Sequence, residues 1–303
     1  MIKNFNVNNC LKLPITSICA IYINTSKKDI KLAINSLLFQ KYIPNQILLI
    51  ADGPIIEVVN DYIKNLKKKY YDIVKIIYLK NNRGLGYALK IGIENSKNEI
   101  IARFDSDDLN LKDRLYKQYQ YLMNDKSIDI LGSKVFEYKI EKGIISSRIK
   151  KVPLKDIEIK KMLRYRNPIN HPSVIFKKTP ILNAGSYQII ESFEDYHLWL
   201  RCKKINLKFE NLNEPLVAMR RESNTLRRYG FHYAMRELSF LKDIIFKNLI
   251  NLFFILPFIL RIYLRVLPKI ILNYLFKIDG IRSCWVTNYK LEEYIKELHN
   301  IKI

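Results

Sequence analysis

The sequence predicts an α/β protein whose mainly parallel sheet is covered by helices on both faces. Four short apolar runs precede residue 105, and each is followed by a segment with the apolar spacing of an amphipathic helix. Strands that alternate with helices in this way pair in the parallel direction. The carboxyl ends of such strands share one edge of the sheet, where α/β proteins bind their ligands.

The predicted elements follow one another closely in the first half of the chain. Strands are predicted at residues 17–23, 46–51, 73–79 and 99–104, and helices at 26–38, 56–70, 85–93 and 110–123. Ser26 and Asp29 have the spacing of a capping box, and Pro44 is expected to break the chain before the second strand. After residue 128 the pattern is looser. It indicates a strand at 128–139, helices at 152–166 and 193–202, a loop at 167–176 that enters a short strand, and a mainly helical segment from 234 onward.

The net charge of the chain suits an anionic partner. It is +23, from 52 basic and 29 acidic residues, which fits nucleic acid, an anionic membrane or phosphorylated substrates. Coding bias is the competing explanation, because Ile, Lys and Asn are abundant along the whole chain. The four cysteines form no Cys-x-x-Cys pair, which argues against a zinc site and fits a reducing cytoplasm. Residues 1–13 lack the apolar core of a signal peptide.

An acidic cluster, Asp105-Ser106-Asp107-Asp108, follows the fourth predicted strand. Alternate residues of an extended segment point to the same side, so Asp105 and Asp107 can face one ligand. Carboxylate oxygens suit Mg²⁺ or Mn²⁺, which bind substrate phosphates as well. The competing reading is a cap of the next helix. Three carboxylates exceed what a cap needs, because their repulsion is costly unless a cation offsets it.

Phosphatases of the haloacid dehalogenase type also carry Asp-x-Asp after a strand. In those enzymes the motif usually follows the first strand and precedes a Gly-Thr or similar turn, whereas this cluster follows the fourth strand without such a turn. Asp52 and Gly84 also come directly after predicted strands, so we expect both to lie on the same edge as Asp105.

Six motifs in a fixed order resemble glycosyltransferase family 2, from about residue 17 to 228. They are SICAIY, ILLIADGP, NRGLGYAL, IIARFDSDD, RNPINHPSV and FEDYHLWLR. The chain looks most similar to the bacterial branch that builds capsular, exopolysaccharide and O-antigen sugars, the amylovoran-type transferases. The resemblance implies a GT-A fold, which is Rossmann-like, and an inverting, metal-dependent transfer from a sugar nucleotide.

The resemblance also implies a division of the chain. Residues 1–235 would form the GT-A domain, with a nucleotide-binding half at about 14–127 and an acceptor-binding half at about 128–235. Residues 236–303 would form a helical, basic and apolar C-terminal region.

Positions that match the family motifs on the nucleotide side take their roles from the resemblance. Tyr22 would lie beside the nucleobase, and Asp52 would hydrogen-bond the base, usually uracil. Asn82, Gly84 and Gly86 would shape the turn near the nucleotide.

The resemblance assigns the reacting side of the site to further residues. Arg103 would support the phosphates or the fold, Asp105 would face ribose and metal, and Asp107 would be the main ligand of Mn²⁺ or Mg²⁺. Asp195, in the motif Phe-Glu-Asp-Tyr, would be the general base that takes the proton of the acceptor hydroxyl. Without the resemblance, a helix N-terminus with favourable acids is the preferred reading of Glu194 and Asp195.

Other positions keep two readings. His171 would touch the substrate or be a structural residue. Arg220 and Arg227 would clamp the diphosphate, where an Arg fork fits well, or belong to a solvated basic face. Lys90 stands where the family often has Asn, and the absence of Gln-x-x-Arg-Trp argues against a processive synthase.

Residues 244–278 are rich in Leu, Ile and Phe, but their best apolar stretch, 249–260, is shorter than a transmembrane helix. Arg261 and Arg265 follow it, which is typical of helices that lie in a membrane interface with a basic face toward anionic lipid. Packing of an amphipathic helix on the catalytic domain is the alternative. Interfacial binding would suit an acceptor on a polyprenyl diphosphate and a place at the inner face of the plasma membrane.

The sequence thus predicts a glycosyltransferase that moves a hexose or N-acetylhexosamine from a UDP-sugar to a hydroxyl of a growing, lipid-linked surface glycan. One alternative is a basic nucleic-acid-binding protein, but no nucleic-acid-binding motif is recognisable, and we expect no nucleic-acid partner. Another is a metal-dependent phosphatase or nucleotidyltransferase that uses the same carboxylates.

Overall fold

A computed structural model describes residue 7 and residues 10–221, 229–268, 271–272 and 285–301. Within these residues, ten strands form one mixed sheet. The strands are β1 (Leu11–Ile21), β2 (Tyr42–Ala51), β3 (Val74–Tyr78), β4 (Ile100–Arg103), β5 (Leu109–Asn110), β6 (Ile130–Glu141), β7 (Ile144–Lys150), β8 (Ile175–Lys177), β9 (Phe209–Arg220) and β10 (Val286–Thr287). The helices are α1 (Lys27–Leu38), α2 (Glu57–Lys69), α3 (Leu85–Glu94), α4 (Arg114–Asn124), α5 (Asp156–Met162), α6 (Lys178–Asn183), α7 (Glu194–Lys204), α8 (Phe231–Phe246), α9 (Leu256–Arg265) and α10 (Tyr289–Asn300).

The first half of the sheet is parallel, with β1 between β2 and β4, and β3 beside β2. This half confirms the predicted strand–helix alternation. The expected break at Pro44 is wrong, since β2 runs through Pro44 and pairs it with Leu13 of β1. A register shift follows between Leu13 and Thr16, so the missing N–H of proline lies where the ladder is already interrupted.

The second half of the sheet is mainly antiparallel. β8 pairs with β4 and β6, β7 pairs with β6, and β10 pairs with β7. β9 lies parallel to β6 and antiparallel to β5, the short strand that directly follows the acidic cluster. The predicted helix start at Asn110 is wrong, because Asn110 belongs to β5 and α4 begins at Arg114. The mixed sheet is consistent with the predicted α/β fold class.

Helices cover both faces of the sheet. Successive residues of β2 alternate between two cores, with Leu48 and Ile50 on one face and Ile47 and Leu49 on the other. The first core contains apolar residues of α3, α7 and α8, and the second contains those of α1, α2 and α4. Burial on both faces explains why these strands are nearly continuous apolar runs in the sequence.

The C-terminal helices pack on the first core. Phe240 and Ile244 of α8 are buried there, so the predicted boundary at residue 235 falls inside a helix that starts before it. Glu237 of α8 is fully buried and accepts hydrogen bonds from Arg261 and Arg265 of α9. Arg261 and Arg265 therefore point toward Glu237 and do not form the expected basic face toward lipid, because a buried carboxylate draws them inward, and interfacial binding of this region stays a prediction. No helix among the described residues is both long and apolar enough to span a bilayer.

Candidate active site

The carboxyl ends of β1, β2 and β4 meet at one edge of the sheet, as their parallel pairing requires. Asp52 directly follows β2 and is buried. Its two carboxylate oxygens accept hydrogen bonds from the backbone N–H groups of Arg83 (2.8 Å) and Gly84 (2.9 Å). Asp52 therefore holds the loop before α3 against the end of β2, and its predicted contact with the nucleobase stays a prediction.

Close backbone approaches explain two glycines of this edge. A Cβ on Gly53 would lie 2.5 Å from the backbone N of Asn82, so only glycine lets the two loops touch. A Cβ on Gly86 would lie 2.3 Å from the carbonyl oxygen of Gln188, in the loop before α7. Gly86 thus lets the nucleotide-side helix α3 approach the second half of the protein.

The remaining predicted nucleotide-side residues also lie on this edge. Tyr22 follows β1 and is exposed. Asn82 accepts a hydrogen bond from the N–H of Gly84 at 3.2 Å and helps to fix the turn. Gly84 has a φ of +88° at the start of α3, a conformation that favours glycine.

The acidic cluster brings three carboxylates together. Asp105, Asp107 and Asp108 each offer one oxygen, and these atoms all lie within 4.8 Å of one another. Arg103 forms an ion pair with Asp105. The buried Asp108 accepts a hydrogen bond from the backbone N–H of Arg220 at 2.9 Å. The structure therefore adds Asp108 to the two carboxylates that the sequence singles out.

Mutual repulsion is built into this cluster. Burial and the neighbouring Asp105 raise the pKa of Asp107 to about 6. Burial and the charges of Asp105 and Asp107 raise the pKa of Asp108 well above its usual range. Asp107 is more exposed than Asp108, which agrees with the smaller shift of its pKa. Hard oxygen donors at this spacing fit Mg²⁺ or Mn²⁺, whose charge would offset the repulsion.

Arg103 lies between the acidic cluster and a second carboxylate group. Burial lowers its pKa, but Asp105, Tyr187, Asp108 and Asp195 more than offset this, and the pKa is raised. The guanidinium is almost completely buried, and among the described residues its Nε and Nη1 atoms have no hydrogen-bond partner. A buried cation with unused N–H groups is suited to an anionic ligand.

The second carboxylate group lies at the N-terminus of α7. One oxygen of Asp195 accepts a hydrogen bond from the side-chain amide of Asn167 at 2.7 Å. The other lies 2.6 Å from the N–H of Tyr196. His171 Nδ1 is 3.8 Å from Asp195, and its Nε2 is 2.7 Å from the Tyr187 hydroxyl. The structure thus places His171 beside Asp195.

The pKa values of Glu194 and His171 in this group are shifted in opposite directions. Burial and the adjacent Asp195 raise the pKa of Glu194 to about 7. Burial and the charge of Arg103 lower the pKa of His171 well below its usual value, so His171 is neutral. A neutral His171 and a Glu194 that is only partly ionised near neutral pH leave fewer competing charges around Asp195. Neighbouring titratable groups with divergent pKa values are typical of acid–base sites.

Sequence reasoning missed three residues that shape the site. Arg114 is fully buried in α4 and donates a hydrogen bond to the carbonyl oxygen of Arg103 at 2.8 Å, and burial lowers its pKa to about 9. It fixes the end of β4 from which the acidic cluster projects. Asn167 and Tyr187 hold Asp195 and His171. The only signal for Asn167 is its place in the motif RNPINHPSV, and none distinguishes Tyr187.

The predicted arginine clamp has a different arrangement. The side chain of Arg220 pairs with Asp29 of α1 at 2.6 Å, and only its backbone N–H contacts the acidic cluster. Arg227 lies outside the described residues. Lys90 is 3.8 Å from Glu94 on the surface of α3. A role of Arg220 or Arg227 at the diphosphate stays a prediction.

The family model and two similar relatives identify the same kind of protein, a glycosyltransferase. Residues 17–181, more than half of the 303-residue chain, match the family model described as Glycosyl transferase family 2. A UDP-Gal:alpha-D-GlcNAc-diphosphoundecaprenol beta-1,3-galactosyltransferase from Escherichia coli is 33% identical over 263 residues, which are 85% of this chain and 93% of the relative. The amylovoran biosynthesis glycosyltransferase AmsE from Erwinia amylovora is 29% identical over 264 residues, which are 86% of this chain and 97% of the relative.

A solved structure shares the fold. TarS from S. aureus, in a complex with UDP-GlcNAc, aligns with a TM-score of 0.56 at 16% identity, over 77% of this chain and 66% of that chain. The chain spans 40% of a longer TarS structure. The similarity confirms the predicted GT-A fold.

Proposed function

Because the chain belongs to glycosyltransferase family 2, we propose that it moves a hexose or N-acetylhexosamine from a UDP-sugar to a hydroxyl of a growing, lipid-linked glycan. The relatives from Escherichia coli and Erwinia amylovora belong to the bacterial polysaccharide branch, which confirms the resemblance seen in the motifs. The enzyme class is that of a glycosyltransferase, which decides against a phosphatase or nucleotidyltransferase.

The observation that carries the proposal is the position of Arg103. It is buried between the acidic cluster and Asp195, and its pKa responds to carboxylates of both groups. A site with one carboxylate group for a cation and another for a proton, joined by a buried guanidinium, fits transfer from a nucleoside diphosphate.

On the donor side, the cation would be held by Asp107 with Asp105 and Asp108. Asp107 is the exposed member of the cluster, which favours it as the main ligand. Asp105 also forms an ion pair with Arg103. A Mn²⁺ or Mg²⁺ ion supplies charge that neutralises a diphosphate as it leaves. Arg103 supplies positive charge on the same side, from a position where little water competes. Enzymes of this family with the GT-A fold generally use such a divalent metal.

On the acceptor side, Asp195 would take the proton of the attacking hydroxyl. Asn167 and the N–H of Tyr196 hold the carboxylate in one orientation, as a general base requires. Attack on the anomeric carbon opposite the leaving diphosphate gives inversion in one displacement, without the covalent step of retaining glycosidases. Proton transfer of this kind contributes about 10²–10⁴-fold to the rate.

The donor would be a UDP-sugar, as in the UDP-Gal-dependent E. coli relative and the TarS complex with UDP-GlcNAc. Tyr22 and the loops held by Asp52 would border the base. Gly84 and Gly86 would let α3 approach the donor. The nucleotide half at about 14–127 and the acceptor half at about 128–235 would close around it.

The acceptor would be carried on a polyprenyl diphosphate. The E. coli relative acts on a diphosphoundecaprenol-linked sugar. An enzyme with such an acceptor works where the lipid lies, so we place this protein at the inner face of the plasma membrane as a peripheral protein.

UDP release tests the proposal. The purified protein with Mn²⁺ and a panel of UDP-hexoses and UDP-N-acetylhexosamines should release UDP with at least one donor. Asp107→Ala should abolish this release, because it removes the exposed carboxylate of the cluster. Asp61→Ala, which removes an exposed acid on α2, is the matched control and should leave release intact. Equal release by wild type and Asp107→Ala would contradict the proposal.

A further inference from the structure

The outward face of α9 is apolar. Leu256, Ile259, Leu260, Tyr263 and Leu264 recur at the spacing of one helix face, and all five are exposed. The chain before α9 carries three further exposed apolar residues, Phe246 at the end of α8 and Leu252 and Phe253 just before α9. Together these residues form the apolar ridge: Phe246, Leu252, Phe253, Leu256, Ile259, Leu260, Tyr263 and Leu264.

The side chains of the ridge are large and apolar but highly exposed, whereas a helix face in water usually carries polar residues. Phe253 is 90% exposed and Phe246 is 87% exposed. Single exposed apolar residues are common, but a contiguous set of this size marks a contact surface.

The orientation of α9 is fixed from the inside. Its inward face carries Arg261 and Arg265, which bind the fully buried carboxylate of Glu237, and Phe258, which is also fully buried. Rotating α9 to bury the ridge would leave Glu237 without its two cations, which is strongly unfavourable. The helix therefore keeps its charges inside and its leucines outside, the reverse of a helix that is adapted to water.

A cationic rim borders the start of the ridge. The Arg164 guanidinium lies 5.1 Å from the Phe254 ring, and Lys204 donates a hydrogen bond to the carbonyl oxygen of Lys247 at 2.9 Å. Burial and the charges of Arg164 and Lys160 lower the pKa of Lys203. Lys160 and Lys247 also pair with Asp156 and Asp243, so the excess positive charge beside the apolar residues comes from Arg164, Lys203 and Lys204. The rim consists of Lys160, Arg164, Lys203, Lys204 and Lys247.

We propose that the apolar ridge and the cationic rim dock on an anionic lipid bilayer, with the ridge at the acyl boundary and the rim at the headgroups. Apolar residues beside lysines and arginines are the features of interfacial binding. A second copy of the chain fits less well, because it would bring two cationic rims together. This inference rests on the proposed function, which puts the protein at the membrane, and it assigns the contact with the membrane to the apolar ridge and the cationic rim.

This surface would also orient the active site. Phe258 of α9 lies 6.1 Å from the ring of Tyr196, the residue after Asp195 on α7. Docking through α9 would therefore hold the N-terminus of α7 at a fixed distance from the bilayer, where a lipid-linked acceptor would be presented.

Vesicle flotation tests the proposal with the full chain. Wild type should float with vesicles of phosphatidylglycerol and phosphatidylethanolamine and bind phosphatidylcholine vesicles much less. Phe253→Ser combined with Leu260→Ser should lower the partition coefficient about tenfold or more, because both apolar side chains are lost from the acyl boundary. The control, Tyr71→Ser combined with Ile144→Ser, removes exposed apolar residues elsewhere and should float like wild type.

A charge variant separates the two parts of the surface. Arg164→Gln combined with Lys204→Gln should reduce flotation with anionic vesicles and leave the weak binding to neutral vesicles unchanged. Unchanged flotation of the Phe253 and Leu260 variant would overturn the proposal. So would a fall in its melting temperature or a change in its oligomeric state, since either shows that the protein itself covers the ridge. UDP release in the absence of vesicles should be the same in all these proteins, which separates this proposal from the proposed function.

Discussion

At the scale of single residues, Arg103 connects the two halves of the proposed chemistry. Arg103→Gln removes the cation that Asp105 binds and leaves the carboxylates on both sides to repel one another. A lost hydrogen bond to a charged group costs about 1.5–3 kcal/mol, so we expect kcat/KM for transfer to fall roughly 10- to 100-fold. Arg103→Lys should restore part of this loss, which a purely structural role would not predict. Steady-state kinetics with both variants would decide, and wild-type rates in Arg103→Gln would contradict the assignment.

A second residue-scale prediction concerns acid stability. Burial, followed by the charges of Arg201 and Lys247, lowers the pKa of His197 from 6.5 to about 4. The unfolded chain therefore binds more protons than the folded protein between these values, so stability falls as pH decreases through this window. His171 acts in the same direction. His197→Gln should flatten the pH dependence by up to about 1.4 kcal/mol per pH unit.

Urea unfolding at several pH values between the two pKa values measures this effect directly. Parallel curves for wild type and His197→Gln would show that His197 does not carry the acid sensitivity.

At the scale of elements, the approach of α3 to the loop before α7 positions both halves of the site. Gly86→Ala would place a Cβ 2.3 Å from the carbonyl oxygen of Gln188 and 3.2 Å from the Cβ of Glu194. The backbone must move apart, which we expect to cost about 1–3 kcal/mol of stability and to displace Asp195. Gly92→Ala in the same helix would place a Cβ 3.0 Å from the flexible end of Ile50 and at ordinary van der Waals distance, 3.5 Å, from Ile18, so it should cost less. Thermal unfolding of the two variants gives the comparison, and equal melting temperatures would contradict it.

Among the strands, those of the parallel half could be predicted from the sequence, and two of the second half could not. The strands of the parallel half are predictable because they are buried on both faces and therefore form apolar runs in the sequence. β9 is not, because Asn211, Asn213, Glu214 and Pro215 interrupt its apolar pattern, and its pairing with β6 and β5 depends on tertiary contacts. β7 is short, with polar residues between its apolar ones, and pairs through a hairpin with β6.

The residues of the candidate site also fall into a group that could be predicted from the sequence and a group that could not. Residues within contiguous motifs, such as Asp105, Asp107 and Asp195, were predicted from the sequence. Buried partners that arrive from other elements, such as Arg114 and Tyr187, carry no local signal. The direction of a side chain on α9 likewise depends on a carboxylate of α8 that no local pattern identifies.

At the scale of the whole molecule, the proposed donor edge, the proposed base Asp195 and the proposed membrane-docking surface lie in one connected part of the protein. The acidic cluster and Asp195 both lie near the buried Arg103, and α9 contacts α7, the helix that carries Asp195. If the proposed membrane docking is right, the net charge of +23 would favour an anionic membrane, in addition to any coding bias.

The most direct test of the central claim is a paired measurement on Asp195→Asn. The amide keeps the size of the carboxylate but cannot take the proton of the acceptor. We predict unchanged UDP-sugar binding by calorimetry and a loss of transfer on the order of 10²–10⁴-fold. Transfer at the wild-type rate, or loss of donor binding together with transfer, would contradict the assignment of Asp195 as the base and of the acidic cluster as the donor site.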